Sequence, residues 1–236
     1  MIADLPRPRV AVVRFPGSND DRDAVHALGL LGADASLVWH ADAELPDVDA
    51  VVIPGGFSYG DYLRCGAIAR FAPVMAAVEA FAADGGPVLG ICNGFQILCE
   101  AGLLPGVLRP NVSLRFVCRD VALHVERDDT PFTSRCAIGQ RLTIPVKHGE
   151  GCWFADGELL AEVEARGQVV LRYDGDNPNG SVADVAGVVS AEGNVMGLMP
   201  HPEHAVDALL GSDDGSLILA SLVDAARDRL SVAASV

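Results

Sequence analysis

The sequence predicts an α/β fold with a mostly parallel central sheet and a β-rich extension, and three observations support this prediction. Apolar runs typical of strands alternate with helix-like stretches up to about residue 101, as in sheets covered by helices. Glycine-rich turns follow three of these runs, at 16–18, 54–60 and 90–94. From about residue 108 to 189 the pattern changes to short β-like runs separated by polar turns.

The individual elements follow from local patterns. Short apolar runs that end in turn residues predict strands at 9–15, 35–39 and 51–53 and a strand ending at Ile91. Helical spacing predicts helices at 20–31, capped by Ser18 or Asn19, at 65–83 and at 93–101. The extension contains β-like runs at 115–118, 121–125, 142–146, 169–173 and 185–189, and a closing helix spans 217–230. Because ligands gather at the carboxyl ends of parallel strands, the glycine-rich turns should converge on one crevice.

The length and composition indicate a single globular domain over residues 1–236. No apolar run reaches the roughly 18 residues of a membrane helix, and residues 1–6 lack the pattern of a secretory leader. We therefore expect a cytoplasmic protein with no membrane partner. The six cysteines form no Cys-x-x-Cys pair, which argues against a zinc knuckle, a dithiol redox motif and a disulfide framework.

The formal net charge of −15 argues against a nucleic-acid partner, because such proteins need a basic face. Lys147 is the only lysine in the chain. Either a high-salt environment, in which screening relieves self-repulsion, or a coding bias towards arginine explains this composition. A thermal midpoint that does not rise in molar KCl would exclude the first explanation.

The segment Gly-Ile-Cys-Asn-Gly at 90–94 looks like a nucleophile elbow. Such a turn between a strand and a helix needs small residues on both sides of a strained nucleophile. The helix N-terminus that follows favours negative charge, and therefore a reactive thiolate on Cys92. A buried structural cysteine would also explain Cys92 taken alone.

A second segment supplies a base and an acid. His201 and Glu203 follow the apolar run at 195–199, which predicts another strand end. A Cys92, His201 and Glu203 triad becomes the leading hypothesis. His201 would take the thiol proton and later protonate the leaving amine, while Glu203 would fix the imidazole tautomer and stabilise its charged form.

With these residues the chain resembles the class I, triad-type glutamine amidotransferases. Further segments resemble one subfamily, the glutaminase subunits of phosphoribosylformylglycinamidine synthase from purine biosynthesis. The string Phe-Ser-Tyr-Gly-Asp-Tyr-Leu-Arg at 57–64 is far more specific to it than the triad. The similar segments cover nearly the whole chain, at 14–19, 54–64, 90–96, 108–111, 148–151 and 199–203.

The resemblance implies a flavodoxin-like three-layer fold and a division of labour. L-glutamine is hydrolysed to glutamate, and ammonia passes to an ATP-dependent synthetase subunit that converts formylglycinamide ribonucleotide to formylglycinamidine ribonucleotide, with a small accessory subunit in the complex. We expect no cofactor on this chain. ATP and Mg²⁺ are expected on the synthetase, because this chain has neither a Gly-x-x-x-x-Gly-Lys-Ser/Thr loop nor a Gly-x-Gly-x-x-Gly fingerprint.

Backbone N–H groups would hold the oxyanion that forms when the thiolate attacks the glutamine amide. The expected donors are Asn93 and either Gly56 or Phe57. Gln96, on the first turn after the elbow, is a candidate for contact with glutamine.

Four further residues come from subfamily segments. His148 and Glu150 are candidates for a structural or glutamine-positioning role. Asp61 and Arg64 either contact the substrate or the partner, or form an intrachain ion pair that orders their loop.

Two positions bear on metal binding and on departures from the subfamily. His201 and His204 have the separation of some metal ligands, but the sequence implies no third ligand, and we predict no metal. Asp20 stands where the subfamily usually carries a cysteine, which puts the packing at that position in doubt.

Three rival functions share parts of this pattern. The glutaminase subunit of another triad amidotransferase would have no reason to carry the string at 57–64. A stand-alone DJ-1-like cysteine hydrolase usually has histidine directly after the nucleophile, where this chain has Asn93. A non-enzymatic regulatory subunit would need no intact triad.

Overall fold

The computed structural model describes residues 7–233. Residues 1–6, on which the leader prediction rests, lie outside the described residues. The strands within this range are β1 (Arg9–Arg14), β2 (Asp34–Trp39), β3 (Ala50–Ile53), β4 (Val88–Ile91), β5 (Val107–Arg109), β6 (Val117–Val125), β7 (Arg141–His148), β8 (Cys152–Phe154), β9 (Val169–Tyr173), β10 (Val185–Val189) and β11 (Val195–Leu198). The α-helices are α1 (Asp21–Leu30), α2 (Pro73–Ala83), α3 (Asn93–Glu100), α4 (Gly157–Ala165) and α5 (Gly215–Ala233). None of these helices is long and apolar enough to cross a membrane.

The central sheet has the order β2-β1-β3-β4-β11-β10-β9-β6-β7. Its first five strands are mutually parallel, in the doubly wound order of flavodoxin-like folds. All residues of β3, β4 and β11 are buried, so both faces of this part are covered. The predicted α/β fold with parallel strands at its centre is confirmed, although the nine-stranded sheet as a whole is mixed rather than mostly parallel.

The β-rich extension continues the same sheet with four antiparallel strands. β10 pairs antiparallel with β11 and β9, and β6 pairs antiparallel with β9 and β7. The runs predicted at 115–118 and 121–125 form one strand, because Arg119 and Asp120 also pair with β7. A two-stranded sheet of β5 and β8, and helix α4, were not predicted.

The helix predicted at 65–83 is wrong in its first third. The structure has a 3₁₀ turn at Ala69–Phe71, and α2 begins at Pro73, whose missing N–H suits the first helical position. Gly66 lies in the left-handed region at φ 78°, and a Cβ there would lie 2.8 Å from the amide nitrogen of Ile97. The close approach of this segment to α3 therefore excludes a regular helix.

The predicted cap of α1 is also wrong. Asp20 occupies the N-cap position, and its side chain makes no capping hydrogen bond. The hydroxyl of Ser18 instead accepts from the amide of Phe15, at 3.0 Å. The Asp20 carboxylate faces Lys147 and His204, so tertiary contacts use a group that could otherwise cap the helix.

Candidate active site

Cys92 lies in a strained turn between β4 and α3, with φ 51° and ψ −104°. A Cβ at Gly94 would lie 1.9 Å from the carbonyl oxygen of Ile53, and one at Gly90 would lie 2.5 Å from a methyl of Leu98. Only glycine fits at either position. This is the predicted nucleophile elbow, because the two glycines let the turn pack tightly while Cys92 holds an unfavourable backbone conformation.

His201 follows β11 and lies beside the carboxyl end of β4. Its amide donates to the carbonyl of Pro145 at 2.8 Å, which fixes the turn against β7. Its Nδ1 lies 2.6 Å from Oε1 of Glu203, and both side chains are fully buried. Nε2 is buried and has no hydrogen-bond partner among the described residues, so it is free to accept a proton. The structure therefore brings the predicted base and acid together next to Cys92.

The electrostatics favour a charged imidazole. Burial alone would lower the pKa of His201, but the charge of Glu203 and the interaction with Cys92 raise that pKa to about 10. The Cys92 thiol donates to the carbonyl oxygen of Lys147 at 3.8 Å. An imidazolium beside a thiolate is the nucleophilic pair that acyl transfer through sulfur requires.

The amide of Phe57 donates to the carbonyl of Gly17 at 2.8 Å, so it is occupied in this structure. The neighbouring amide of Gly56 makes no hydrogen bond within residues 7–233. Asn93 is the first residue of α3, and its amide has no acceptor within the helix. Of the predicted oxyanion donors, Gly56 and Asn93 are thus available.

A pocket of about 160 Å³ opens beside Cys92, a size that suits a small molecule rather than a drug-sized ligand. The glycine-rich turns converge there as predicted, and the turns at 16–18 and 54–60 are joined by an antiparallel bridge between Ser18 and Gly56. The lining residues are Asn19, Asp20, Gly56, Phe57, Asp61, Cys65, Cys92, Gln96, Phe116, Lys147, His148, Gly149, Glu150 and His201.

Gln96 lines this pocket and links the elbow to the loop after β7. Its Nε2 donates to the carbonyl of Glu150 at 2.6 Å, and its Oε1 accepts from Nδ2 of Asn93 at 2.8 Å. His148 is buried at the pocket wall, with Nδ1 3.1 Å from Oδ1 of Asn111. Burial, and then the charge of His201, lower the pKa of His148 to about 4, so this imidazole is neutral. Both residues fit a positioning role.

The structure separates the two loop candidates. Asp61 lines the pocket, its Oδ1 is buried without a hydrogen-bond partner among the described residues, and burial raises its pKa. Arg64 instead donates from Nε and from one terminal nitrogen to the carboxylate of Glu100, each at 2.6 Å, and is not among the lining residues. The ion pair predicted as the alternative for this loop is formed by Arg64, with Glu100 rather than Asp61.

A cluster that the sequence did not reveal adjoins the triad. Ligand atoms of Asp20, His201, Glu203 and His204 all lie within 4.8 Å of one another. The expectation of no third potential ligand is therefore wrong. The Lys147 ammonium contacts Asp20 and lies 3.0 Å from Nε2 of His204, so this side chain supplies a cation to the cluster. The one sequence feature that could have indicated this cluster is Lys147 itself, the single lysine of the chain, which directly precedes the segment at 148–151.

Comparisons with known proteins agree with the geometry. Residues 7–213 match the family model described as a CobB/CobQ-like glutamine amidotransferase domain. The chain is 63% identical over 219 residues to phosphoribosylformylglycinamidine synthase subunit PurQ of Rubrobacter xylanophilus, covering 93% of this chain and 99% of the relative. It is 58% identical over 225 residues to the subunit of the same name from Salinibacter ruber, covering 92% and 96%.

Solved structures show the same fold. A chain of the structure described as PurLQS from Thermotoga maritima matches with a TM-score of 0.85 and 46% identity, covering 93% of this chain and 99% of that chain. A protein from Thermoplasma acidophilum, described as one subunit of a GMP synthase, matches with a TM-score of 0.66 at 15% identity, covering 97% and 98%. The second likeness concerns the fold alone.

Proposed function

The chain belongs to the CobB/CobQ-like glutamine amidotransferase family, and from this membership we propose that it is the glutaminase subunit of a phosphoribosylformylglycinamidine synthase. It hydrolyses L-glutamine to glutamate and supplies ammonia for the conversion of formylglycinamide ribonucleotide to formylglycinamidine ribonucleotide in purine biosynthesis. The observation that carries the proposal is the buried His201 and Glu203 pair beside a strained Cys92, in a chain that is similar to PurQ subunits over almost its full length.

Acyl transfer begins when the Cys92 thiolate attacks the side-chain amide carbon of glutamine and forms a carbon–sulfur bond. The carbonyl oxygen becomes an oxyanion, which the amides of Gly56 and Asn93 are placed to stabilise. The His201 imidazolium donates its Nε2 proton to the amide nitrogen, ammonia leaves, and a thioester remains on Cys92. Glu203 holds Nδ1 protonated throughout, so Nε2 is the nitrogen that exchanges protons.

Hydrolysis of the thioester reverses these roles. Neutral His201 takes a proton from water at Nε2, and the resulting hydroxide attacks the thioester carbon. The tetrahedral intermediate expels the Cys92 thiolate, which restores the ion pair with His201, and the side-chain carboxylic acid that forms releases its proton to solvent to give glutamate. Gln96 and His148 line the pocket and hold its wall in place while the substrate turns over.

The partners follow from the same family membership. The ammonia acceptor is bound by a synthetase subunit, and a small accessory subunit completes the complex. ATP and Mg²⁺ bind to the synthetase, and this chain needs no cofactor or metal of its own. We place the complex in the cytoplasm, where purine nucleotides are made.

The proposal is tested by ammonia release from L-glutamine, measured on the isolated chain and on the chain reconstituted with its synthetase and accessory subunits. The isolated chain should be a slow glutaminase, and the rate should rise when the synthetase and its substrates bind, because such sites are completed by partner-induced ordering of loops. A glutaminase rate that no synthetase changes would refute the ammonia-donating role and favour a stand-alone cysteine hydrolase.

A further inference from the structure

Asp20 and Lys147 form a partly buried ion pair directly behind the catalytic histidine, with the carboxylate buried and the lysine side chain partly exposed. The Asp20 side chain is 4% exposed, and its Oδ1 contacts the Lys147 ammonium and lies 3.2 Å from Nε2 of His204. Burial alone would raise the pKa of Asp20, but the His204 hydrogen bond and the charges of His201 and Lys147 lower that pKa well below its usual range. Asp20 is therefore a carboxylate inside the active-site wall.

The second oxygen of this carboxylate faces the triad. Oδ2 of Asp20 lies 3.7 Å from Nδ1 of His201, the nitrogen that bonds to Glu203 at 2.6 Å. A Cβ at Gly55 would lie 2.4 Å from Oδ2 of Asp20 and 2.6 Å from Cε1 of His201, so the glycine lets the two side chains approach over the backbone. The imidazole thus has two carboxylates on its Nδ1 side.

Lys147 contacts both the nucleophile Cys92 and the carboxylate of Asp20. Its carbonyl oxygen accepts from the Cys92 thiol, while its ammonium contacts Asp20. Two buried carboxylates beside one imidazole cost desolvation free energy unless cations balance them. The Lys147 ammonium contacts Asp20 and the His201 imidazolium contacts Glu203, so each carboxylate has a cation beside it.

We propose that Asp20 and Lys147 are a pair of positioning residues for His201. Asp20 supplies a second anion at the Nδ1 edge of the imidazole, and Lys147 offsets that anion so that Glu203 remains the hydrogen-bond acceptor. The pair acts through His201 and does not itself react. This inference rests on the proposed glutaminase function and adds to it the residues that set the charge around the base.

Several charged or titratable groups face His201, and each affects the pKa of its imidazole. They are Glu203 and His204 from its own turn, Asp20 from the loop before α1, Cys92 from the elbow and His148 from the end of β7. Lys147 acts on His201 from behind Asp20 and His204, which its ammonium contacts. Removing the anion of Asp20 destabilises the imidazolium, and removing the cation of Lys147 stabilises it.

The test is the pH profile of glutamine-dependent kcat/KM in the reconstituted complex, for Asp20→Asn, Lys147→Met and the double variant. The alkaline limb reports loss of the imidazolium proton in the free enzyme. The alkaline limb should move down by about one pH unit in Asp20→Asn, because the imidazolium loses a nearby anion, and up in Lys147→Met, because it loses a nearby cation. A shift of one unit is a tenfold change in the proton-binding equilibrium of His201. The double variant, which removes both charges, should return close to the wild-type profile. Synthesis from ammonium chloride should be unchanged in all three.

Asp49→Asn is the matched control, because the Asp49 side chain is similarly buried, 6% exposed, and pairs with Arg9 at the start of β1, outside the active-site pocket. It should leave the alkaline limb in place. If Asp20→Asn does not fold, Lys147→Met and the charge-balanced double variant still test whether Asp20 and Lys147 set the pKa of His201. The inference would be overturned if the alkaline limbs of Asp20→Asn and Lys147→Met did not move in opposite directions. It would also be overturned if the alkaline limb of the double variant lay far from that of the wild type.

The outcomes also separate this inference from the proposed function. An inactive wild-type complex would overturn the proposed function and the inference with it. An active wild type in which Asp20→Asn behaves as Asp49→Asn does would overturn the inference alone.

Discussion

The charge of Glu203 should be worth about two orders of magnitude in the rate of glutamine hydrolysis. Glu203→Gln keeps the size of the side chain and removes its charge from a position 2.6 Å from Nδ1 of His201. The variant can no longer stabilise the imidazolium that protonates the leaving amide nitrogen, but the imidazole itself remains. We therefore expect a lower kcat rather than an inactive enzyme.

The magnitude follows from the distances. Two unit charges about 4 Å apart interact by about 4 kcal/mol at an effective dielectric constant near 20, which corresponds to roughly a thousandfold in rate. The amide oxygen of the introduced glutamine can still accept a hydrogen bond from Nδ1 of His201, which retains part of this interaction. The expected loss in Glu203→Gln is accordingly about a hundredfold.

Glutamate production by the reconstituted complex at saturating L-glutamine measures this loss. His201→Asn is the comparison, and it should nearly abolish hydrolysis because no base remains. Synthesis from ammonium chloride serves as the control for intact assembly. A kcat for Glu203→Gln within twofold of the wild type, or near-normal hydrolysis by His201→Asn, would refute the triad assignment.

Two further predictions concern stability. Because the pKa of His148 is about 4 in the folded protein and about 6.5 in the unfolded chain, the unfolded state binds the extra proton between these values, and the unfolding free energy falls as the pH drops through that window. His148→Gln should remove about 2 kcal/mol of this fall between pH 7 and 5 in urea titrations, and equal pH dependence of variant and wild type would contradict the pKa shift. Gly94→Ala should cost at least about 3 kcal/mol, because its Cβ would lie 1.9 Å from the carbonyl oxygen of Ile53. Gly29→Ala, with nothing within 4 Å, should be neutral or stabilising, and a similar cost in both variants would show that the elbow is not the cause.

The sequence predicted the features that depend on local pattern. The strands of the parallel half were read from short apolar runs, and their positions agree with the structure to within about two residues. The elbow at Cys92 could be predicted because its tight packing requires glycine at 90 and 94, and both glycines lie within two residues of the cysteine in the sequence. The start of α2 was missed although Pro73 marks it, because apolar residues continue at helical spacing on both sides of the proline.

The features that were missed depend on contacts between distant parts of the chain. Asp20 and Lys147 are 127 residues apart, and Lys147 and His204 are 57 apart, so no local pattern joins them. For the same reason, the sequence could not decide whether the amide of Gly56 or that of Phe57 is the oxyanion donor. It depends on the carbonyl of Gly17, in another loop, which occupies the Phe57 amide.

The most direct test of the proposed function is Cys92→Ala in the reconstituted complex, assayed for formylglycinamidine ribonucleotide with two nitrogen sources. Without the thiolate no thioester forms, so synthesis from L-glutamine should be lost. Synthesis from ammonium chloride should continue near the wild-type rate, because free ammonia reaches the synthetase without this chain's chemistry. Equal loss of both activities, or glutamine-dependent synthesis that survives the substitution, would contradict the assignment of Cys92 as the nucleophile of an ammonia-donating subunit.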